Sequence, residues 1–220
     1  MSDEIAKIPA FGLTGGVASG KSTVAQYLQS LGAKIIDADR VGHELLRPGS
    51  PAYPLIISTF GPEVLTSAKE SARAPQGAID RQRLAAIVFA DPQKLRALNA
   101  ILHPLILLRI LEITAQHRER EPGGVTVVEA PLIYEAEIEK NFVKVIVAWC
   151  RPEQQLERLL AKGGISHADA EARIAAQIAP DEKRRRADYV IDCSTTIEAT
   201  GVQAKALYPE LQRVMTALSG

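Results

Sequence analysis

The sequence is short of the features that mark several large classes of protein. It has only two cysteines, Cys150 and Cys193, with no CxxC motif and no Cys/His cluster, which excludes a disulfide framework and a zinc finger. Each closes an apolar run, so both read as reduced, structural thiols. There is no excess charge of either sign: 26 Lys and Arg balance 26 Asp and Glu. Binding to nucleic acid or a membrane surface, which needs a broad basic face, is therefore not expected. No apolar run reaches the roughly 18 residues of a membrane span. The amino terminus, Met-Ser-Asp-Glu-Ile-Ala-Lys, is charged and lacks the apolar core of a secretory signal. Together these absences read as a cytoplasmic protein.

What remains is ordinary globular composition, 46% hydrophobic and 24% charged over 220 residues. That length suits one α/β domain carrying an inserted helical subdomain. Residues 8–14 read as a buried strand, residues 21–31 as a helix stopped at Gly32, and residues 33–36 as a second buried strand. This order is a βαβ unit, normally right-handed and parallel. From residue 40 to 122 no strand is expected. Helices are predicted near 41–46, 53–60, 81–89 and 94–118, with a loop over 65–77. Strands return at 125–129, 143–149 and 189–191. Helices over 152–162 and 166–178 are joined by Gly163-Gly164, and a closing helix over 197–218 should break or kink at Pro209. The five strands are mostly apolar throughout and do not alternate, as in a parallel sheet covered on both faces.

The most specific signal is Gly15-Gly16-Val17-Ala18-Ser19-Gly20-Lys21-Ser22, a complete G-x-x-x-x-G-K-[ST] phosphate loop. An apolar strand precedes it and an amphipathic helix follows, the context its chemistry needs. Backbone N–H groups, with Thr23 in the first helical turn, would cradle the phosphates of ATP at the positive end of the helix. Lys21 would reach the β- and γ-phosphates, and the Ser22 hydroxyl would ligate Mg²⁺. Asp39-Arg40-Val41-Gly42 matches the D-x-x-G of GTPases by coincidence, since it follows the loop too soon and no N-K-x-D or T-K-x-D supplies guanine recognition.

Carboxylates stand where ligands of a doubly wound sheet bind, at the carboxyl ends of strands. Asp37 and Asp39 follow the second strand; each could orient an acceptor hydroxyl and take its proton, or cap the next helix. Glu129 ends the Val-Thr-Val-Val-Glu strand. It could serve Mg²⁺, orient a substrate group or sit on a surface loop. The run Lys183-Arg184-Arg185-Arg186 reads by default as a solvated helix face, though some members could turn towards phosphates.

Taken together, these segments resemble the dephospho-CoA kinase family over nearly the whole chain. The resemblance rests on the loop with its Phe-Gly-Leu-Thr lead, Ile36-Asp37-Ala38-Asp39, and Ile79-Asp80-Arg81. It continues through Leu98 to Ile106 with His103-Pro104, Glu129 to Glu135 (Glu-Ala-Pro-Leu-Ile-Tyr-Glu), Arg173 with Gln177, and Ala187 to Ile191. It implies transfer of the γ-phosphoryl group of ATP to the ribose 3′-hydroxyl of dephospho-CoA; the alternative is another small-molecule or nucleoside monophosphate kinase. It implies a three-layer P-loop fold with a nucleotide core (1–39, 123–151, 181–220), a helical acceptor-binding insertion (40–122) and a small helical lid (152–180). It carries a catalytic-base role to Asp39 and acceptor-side roles to His103 and Glu135; for His103 a packed, capping role stays open. Two departures stand out. Lys162-Gly163 replaces the lid's usual Arg-Asp, so the lid cation is Lys162 or another residue such as Arg158. Asp192-Cys193 stands where an asparagine usually adjoins the adenine.

Overall fold

The computed structural model describes residues 7–66 and 77–219. Most of the loop expected over 65–77 lies outside the described residues. By internal contacts the chain divides into two compact units, Met1–Asp37 with Ile113–Gly220, and Ala38–Glu112. The division places residues 113–122 and the 152–180 segment with the sheet.

The first unit is built on five parallel strands: β1 (Phe11–Thr14), β2 (Lys34–Asp37), β3 (Thr126–Glu129), β4 (Val145–Trp149) and β5 (Tyr189–Asp192). Their order is β2-β3-β1-β4-β5. Connections from β1 and β3 therefore leave to opposite sides, and the carboxyl edge of the central strands becomes the switch point where ligands bind. The register brings Leu13 and Asp37 each opposite Glu129. β1 is shorter than the apolar run predicts: Pro9 has no N–H to give a ladder, and Ile8 makes only a lone parallel bridge to Phe142.

Helix α1 (Lys21–Ser30) and helix α9 (Ile197–Ala217) pack against this sheet. Val24 and Leu28 from α1 and Leu211 and Met215 from α9 join Phe11, Leu13, Val127 and Ile146 in one buried cluster. Burial at about 25 cal/mol per Å² of apolar surface makes such contacts the main stabilising term. Of the break or kink expected at Pro209, the break is absent. Tyr208 and Leu211 flank it in the core, and α9 runs through the proline unbroken. Packing of the apolar face outweighs one lost hydrogen bond. Helices α6 (Pro152–Ala161), α7 (His167–Ala175) and α8 (Pro180–Arg186) lie between β4 and β5 in sequence. Helix α7 ends three residues before the predicted end, because Gln177 and Ile178 are committed to distant partners described below.

Among its described residues the second unit has helices and no strand beyond a lone antiparallel bridge between Leu65 and Ile79, in line with the helical insertion expected. It comprises α2 (Ala38–Leu45), α3 (Ala52–Phe60), α4 (Arg81–Phe89) and the first part of α5 (Pro92–Arg120). Asp80 caps α4, accepting from the N–H groups of Gln82 and Arg83. Asp91 accepts from the Gln93 N–H, and Pro92 takes the first turn, where its missing N–H costs nothing. Val41, Ile56, Phe60, Leu84, Leu107 and Ile110 are buried. Helix α2 starts three residues earlier than expected, which corrects the placing of Asp39. It lies in the first turn of a helix, where a carboxylate complements the helix dipole, and not at a strand end. An 18-residue stretch of α5 reaches mean hydropathy 1.5, enough by length and composition alone to cross a bilayer. The helix also carries Asn99, His103, Arg109 and Glu112.

Candidate active site

The loop Gly15–Ser22 leaves the carboxyl end of the central strand β1 and enters α1 at Lys21. Gly20 has φ 101°, and a Cβ there would lie 2.9 Å from Cβ of Cys193. Only glycine meets both demands. Lys21 and Ser22 are the first two residues of the helix, so their side chains rise from its N-terminal turn beside the sheet edge.

Glu129 gathers both. Lys21 Nζ donates to Glu129 Oε1 at 2.8 Å, and Ser22 Oγ donates to the same oxygen at 3.3 Å. Lys21 and Glu129 are each 17% exposed, so this ion pair is largely shielded from water. Of the alternatives open for Glu129, the surface-loop reading fails, because Glu129 is the last residue of β3 and pairs with Lys21. A hydroxyl and a carboxylate are hard oxygen donors, and Mg²⁺ takes one or two such protein ligands and completes its shell with phosphates and water. The donor set fits that ion.

Around this centre the 131–193 region supplies a second ring of polar contacts. The Thr14 hydroxyl and Lys183 Nζ both donate to the carbonyl of Pro131. Lys183 is 0% exposed and pairs with Glu135 at 2.7 Å. Burial pushes its ammonium below the usual lysine range, the Glu135 hydrogen bond and charge pull it back, and the charge of Lys21 lowers it again. The default reading of the 183–186 run as a solvated face is thus wrong for its first member. Arg184, Arg185 and Arg186 are exposed; Arg184 stacks on Trp149 and Arg186 on Tyr134, at 4.4 Å each, and Arg185 pairs with Glu182. Glu135 also accepts from the Ile178 N–H at 3.0 Å.

Two cations were candidates in the 152–180 segment. Arg158 donates to the Cys193 carbonyl at 2.6 Å, and its guanidinium nitrogen lies 4.0 Å from where a Gly20 Cβ would be. Lys162 stands exposed at the carboxyl end of α6. Cys193, in the place of the usual asparagine, packs its side chain on Gly20; burial raises its thiol to about 11. Cys150 is buried as well, and both thiols are free, as expected.

In the helical unit, burial lowers the pKa of His103 on α5, keeping the imidazole neutral near pH 7. Helices α2 and α5 line a cleft of about 430 Å³ with Val41, Leu45, Leu105, Leu108, Arg109 and Glu112 among its walls. His103 is not among its lining residues.

Two contributors escaped sequence reasoning. Gln155 is buried one helical turn before the buried Leu159, so a polar residue on an apolar face was the available signal. Lys183 carried none, since one lysine among arginines gives no hint of burial.

A phosphate loop at the switch point of a parallel sheet, with its lysine and serine converging on a strand-end carboxylate, defines a P-loop nucleotide-binding protein. The family model for dephospho-CoA kinase matches residues 10–199. A dephospho-CoA kinase of Symbiobacterium thermophilum is 44% identical over 90% of this chain and 79% of its own length. That of Carboxydothermus hydrogenoformans is 44% identical over 89% of this chain and 91% of its own. Among solved structures, the dephospho-CoA kinase of Campylobacter jejuni superposes with TM-score 0.67 at 30% identity, covering 93% of this chain and 98% of its own. The chain belongs to the dephospho-CoA kinase family.

Proposed function

We propose that this chain transfers the γ-phosphoryl group of ATP to the ribose 3′-hydroxyl of dephospho-CoA, giving CoA and ADP. The observation that carries this reading is the convergence of Lys21 and Ser22 on Glu129 at the mouth of the phosphate loop, in a chain matched to that family over residues 10–199. The N–H groups of the loop and the α1 dipole bind the phosphates. The ammonium of Lys21, held ready by Glu129, turns to the β- and γ-oxygens as charge builds on them. Ser22 and Glu129 would hold Mg²⁺, which neutralises the triphosphate when bound.

Asp39 accepts the proton of the attacking hydroxyl as the O3′–P bond forms and the bond from phosphorus to the bridging oxygen breaks. Its support is the match of Ile36-Asp37-Ala38-Asp39 to the family's segment, within the residues 10–199 that the family model covers. Arg158 supplies a cation beside the loop, and Lys162, exposed at the end of α6, is the alternative. Glu135, given an acceptor-side role by resemblance, is better supported as an anchor for Lys183 and Ile178. His103 serves the helical unit as a neutral, half-buried imidazole on the acceptor side.

The test is release of ADP from MgATP with and without dephospho-CoA, with the phosphorylated product identified by mass. Acceptor-dependent turnover giving a 3′-phosphate supports the reading. Turnover with other alcohols or nucleoside monophosphates, and none with dephospho-CoA, would favour a different small-molecule kinase.

A further inference from the structure

Both backbone polar groups of Val17, in the middle of the phosphate loop, are held by side chains from the 152–180 segment. The Val17 N–H donates to Gln177 Oε1 at 2.8 Å, and Gln155 Nε2 donates to the Val17 carbonyl at 2.9 Å. Gln155 is 1% exposed and presses tightly on the loop: a Cβ on Gly16 would fall 2.0 Å from its Nε2. Gln177 is fixed from behind, since the next residue gives its N–H to Glu135, which pairs with buried Lys183.

The residue after Val17 is strained. Ala18 has φ 56°, a left-handed conformation that places its Cβ too near the following carbonyl. A non-glycine residue stays in such a region only where its surroundings over-determine it. The two peptide planes immediately before Ala18, the one carrying the Val17 N–H and the one carrying the Val17 carbonyl, are those the glutamines fix.

We infer that Gln155 and Gln177 are positioning residues that lock these two peptide planes, hold Ala18 left-handed and so preform the triphosphate cradle before nucleotide arrives. A loop already in its binding shape loses less entropy when it closes on phosphate. The inference rests on Gly15–Ser22 being the ATP cradle, and the experiment separates the two.

MgATP binding is titrated calorimetrically on the full chain and on the Gln177→Met, Gln155→Met, Ala18→Gly, Lys21→Ala and Gln177→Met/Ala18→Gly variants. Methionine keeps the length of glutamine and removes its hydrogen bonds. Each glutamine variant should weaken MgATP binding by about fivefold to tenfold, the effect of one hydrogen bond, with kcat at saturating ATP within about threefold. Ala18→Gly should recover about threefold in the Gln177→Met background and less in the parent, because glycine adopts the left-handed shape unaided. A purely structural contact would show no such coupling.

Glutamine variants that bind like the parent, or a double variant no tighter than Gln177→Met, overturn the inference. Weakened binding by Lys21→Ala alone condemns the clamp and spares the cradle; unchanged binding in every variant condemns both. Should Gln155→Met unfold, the half-buried Gln177 and its double variant decide the matter alone, checked by a Tm within about 2 °C of the parent.

Discussion

At the scale of single residues, the chemistry concentrates in a few charges whose roles differ in what their loss should change. Lys21 sits 2.8 Å from Glu129 and would pass to the transferred phosphoryl group. Lys21→Ala should lower kcat/KM by about two to three orders of magnitude, as when one electrostatic stabiliser of a transition state is removed. Steady-state kinetics with dephospho-CoA check this, and near-parent turnover removes Lys21 from the mechanism. Asp39→Asn should lower kcat about 100-fold, the usual contribution of a general base, with KM for ATP within about twofold. An equal loss in ATP affinity would assign Asp39 to nucleotide or metal binding instead. Arg158 lies beside Gly20 while Lys162 stands in solvent, so Arg158→Ala should raise KM for ATP more than Lys162→Ala does. The reverse order would return the lid cation to Lys162.

At the scale of elements, α8 and α5 carry the stability arguments. Lys183 anchors α8 through a buried ion pair with Glu135 and a bond to the Pro131 carbonyl. Removing one partner strands a buried charge, so Lys183→Ala should destabilise the chain by about 3 kcal/mol in urea unfolding. Lys183→Met with Glu135→Gln should cost less than the two single changes added together, since neither partner is then left unpaired. On α5, burial holds His103 below its ordinary pKa of 6.5. The unfolded chain, with that histidine near 6.5, binds more protons than the folded chain between the two values. Stability should therefore fall as pH drops through 6.5 and level off below the folded-state value. His103→Gln should flatten that part of a stability-versus-pH curve; an unaltered slope would mean other groups set it.

For the whole molecule, a ligand that binds only the folded chain stabilises it by mass action. At about 100 times its Kd, ATP with magnesium should add about 2.7 kcal/mol. For a chain of this size that corresponds to a Tm rise of roughly 5–10 °C. Chelation of magnesium by EDTA should remove most of this rise if Ser22 and Glu129 hold the ion. A rise that survives chelation would mean that the loop binds ATP without a metal at this pair.

Much of this was legible in the residues. The P-loop lies in eight consecutive residues whose backbone conformation is nearly dictated by their glycines and by the strand and helix beside them. The five strands showed as mostly apolar runs, and α4 lies over the residues 81–89 expected for it. Local signals failed where distant partners decided the outcome. Gln177 left the predicted helix because Val17, 160 positions away, offered an N–H. Pro209 failed to break α9 because its neighbours were needed in the core.

The sequence by itself determined that a phosphate loop would lie between a buried strand and a helix, because those preferences act between near neighbours. Only the tertiary structure decided that Glu129 would gather Lys21 and Ser22, that Lys183 would be buried while Arg185 stayed in water, and that two glutamines would grip Val17. Each of those outcomes depends on which surfaces the parallel sheet and its helices bring together, and burial is what makes a charge or an amide there choose a partner.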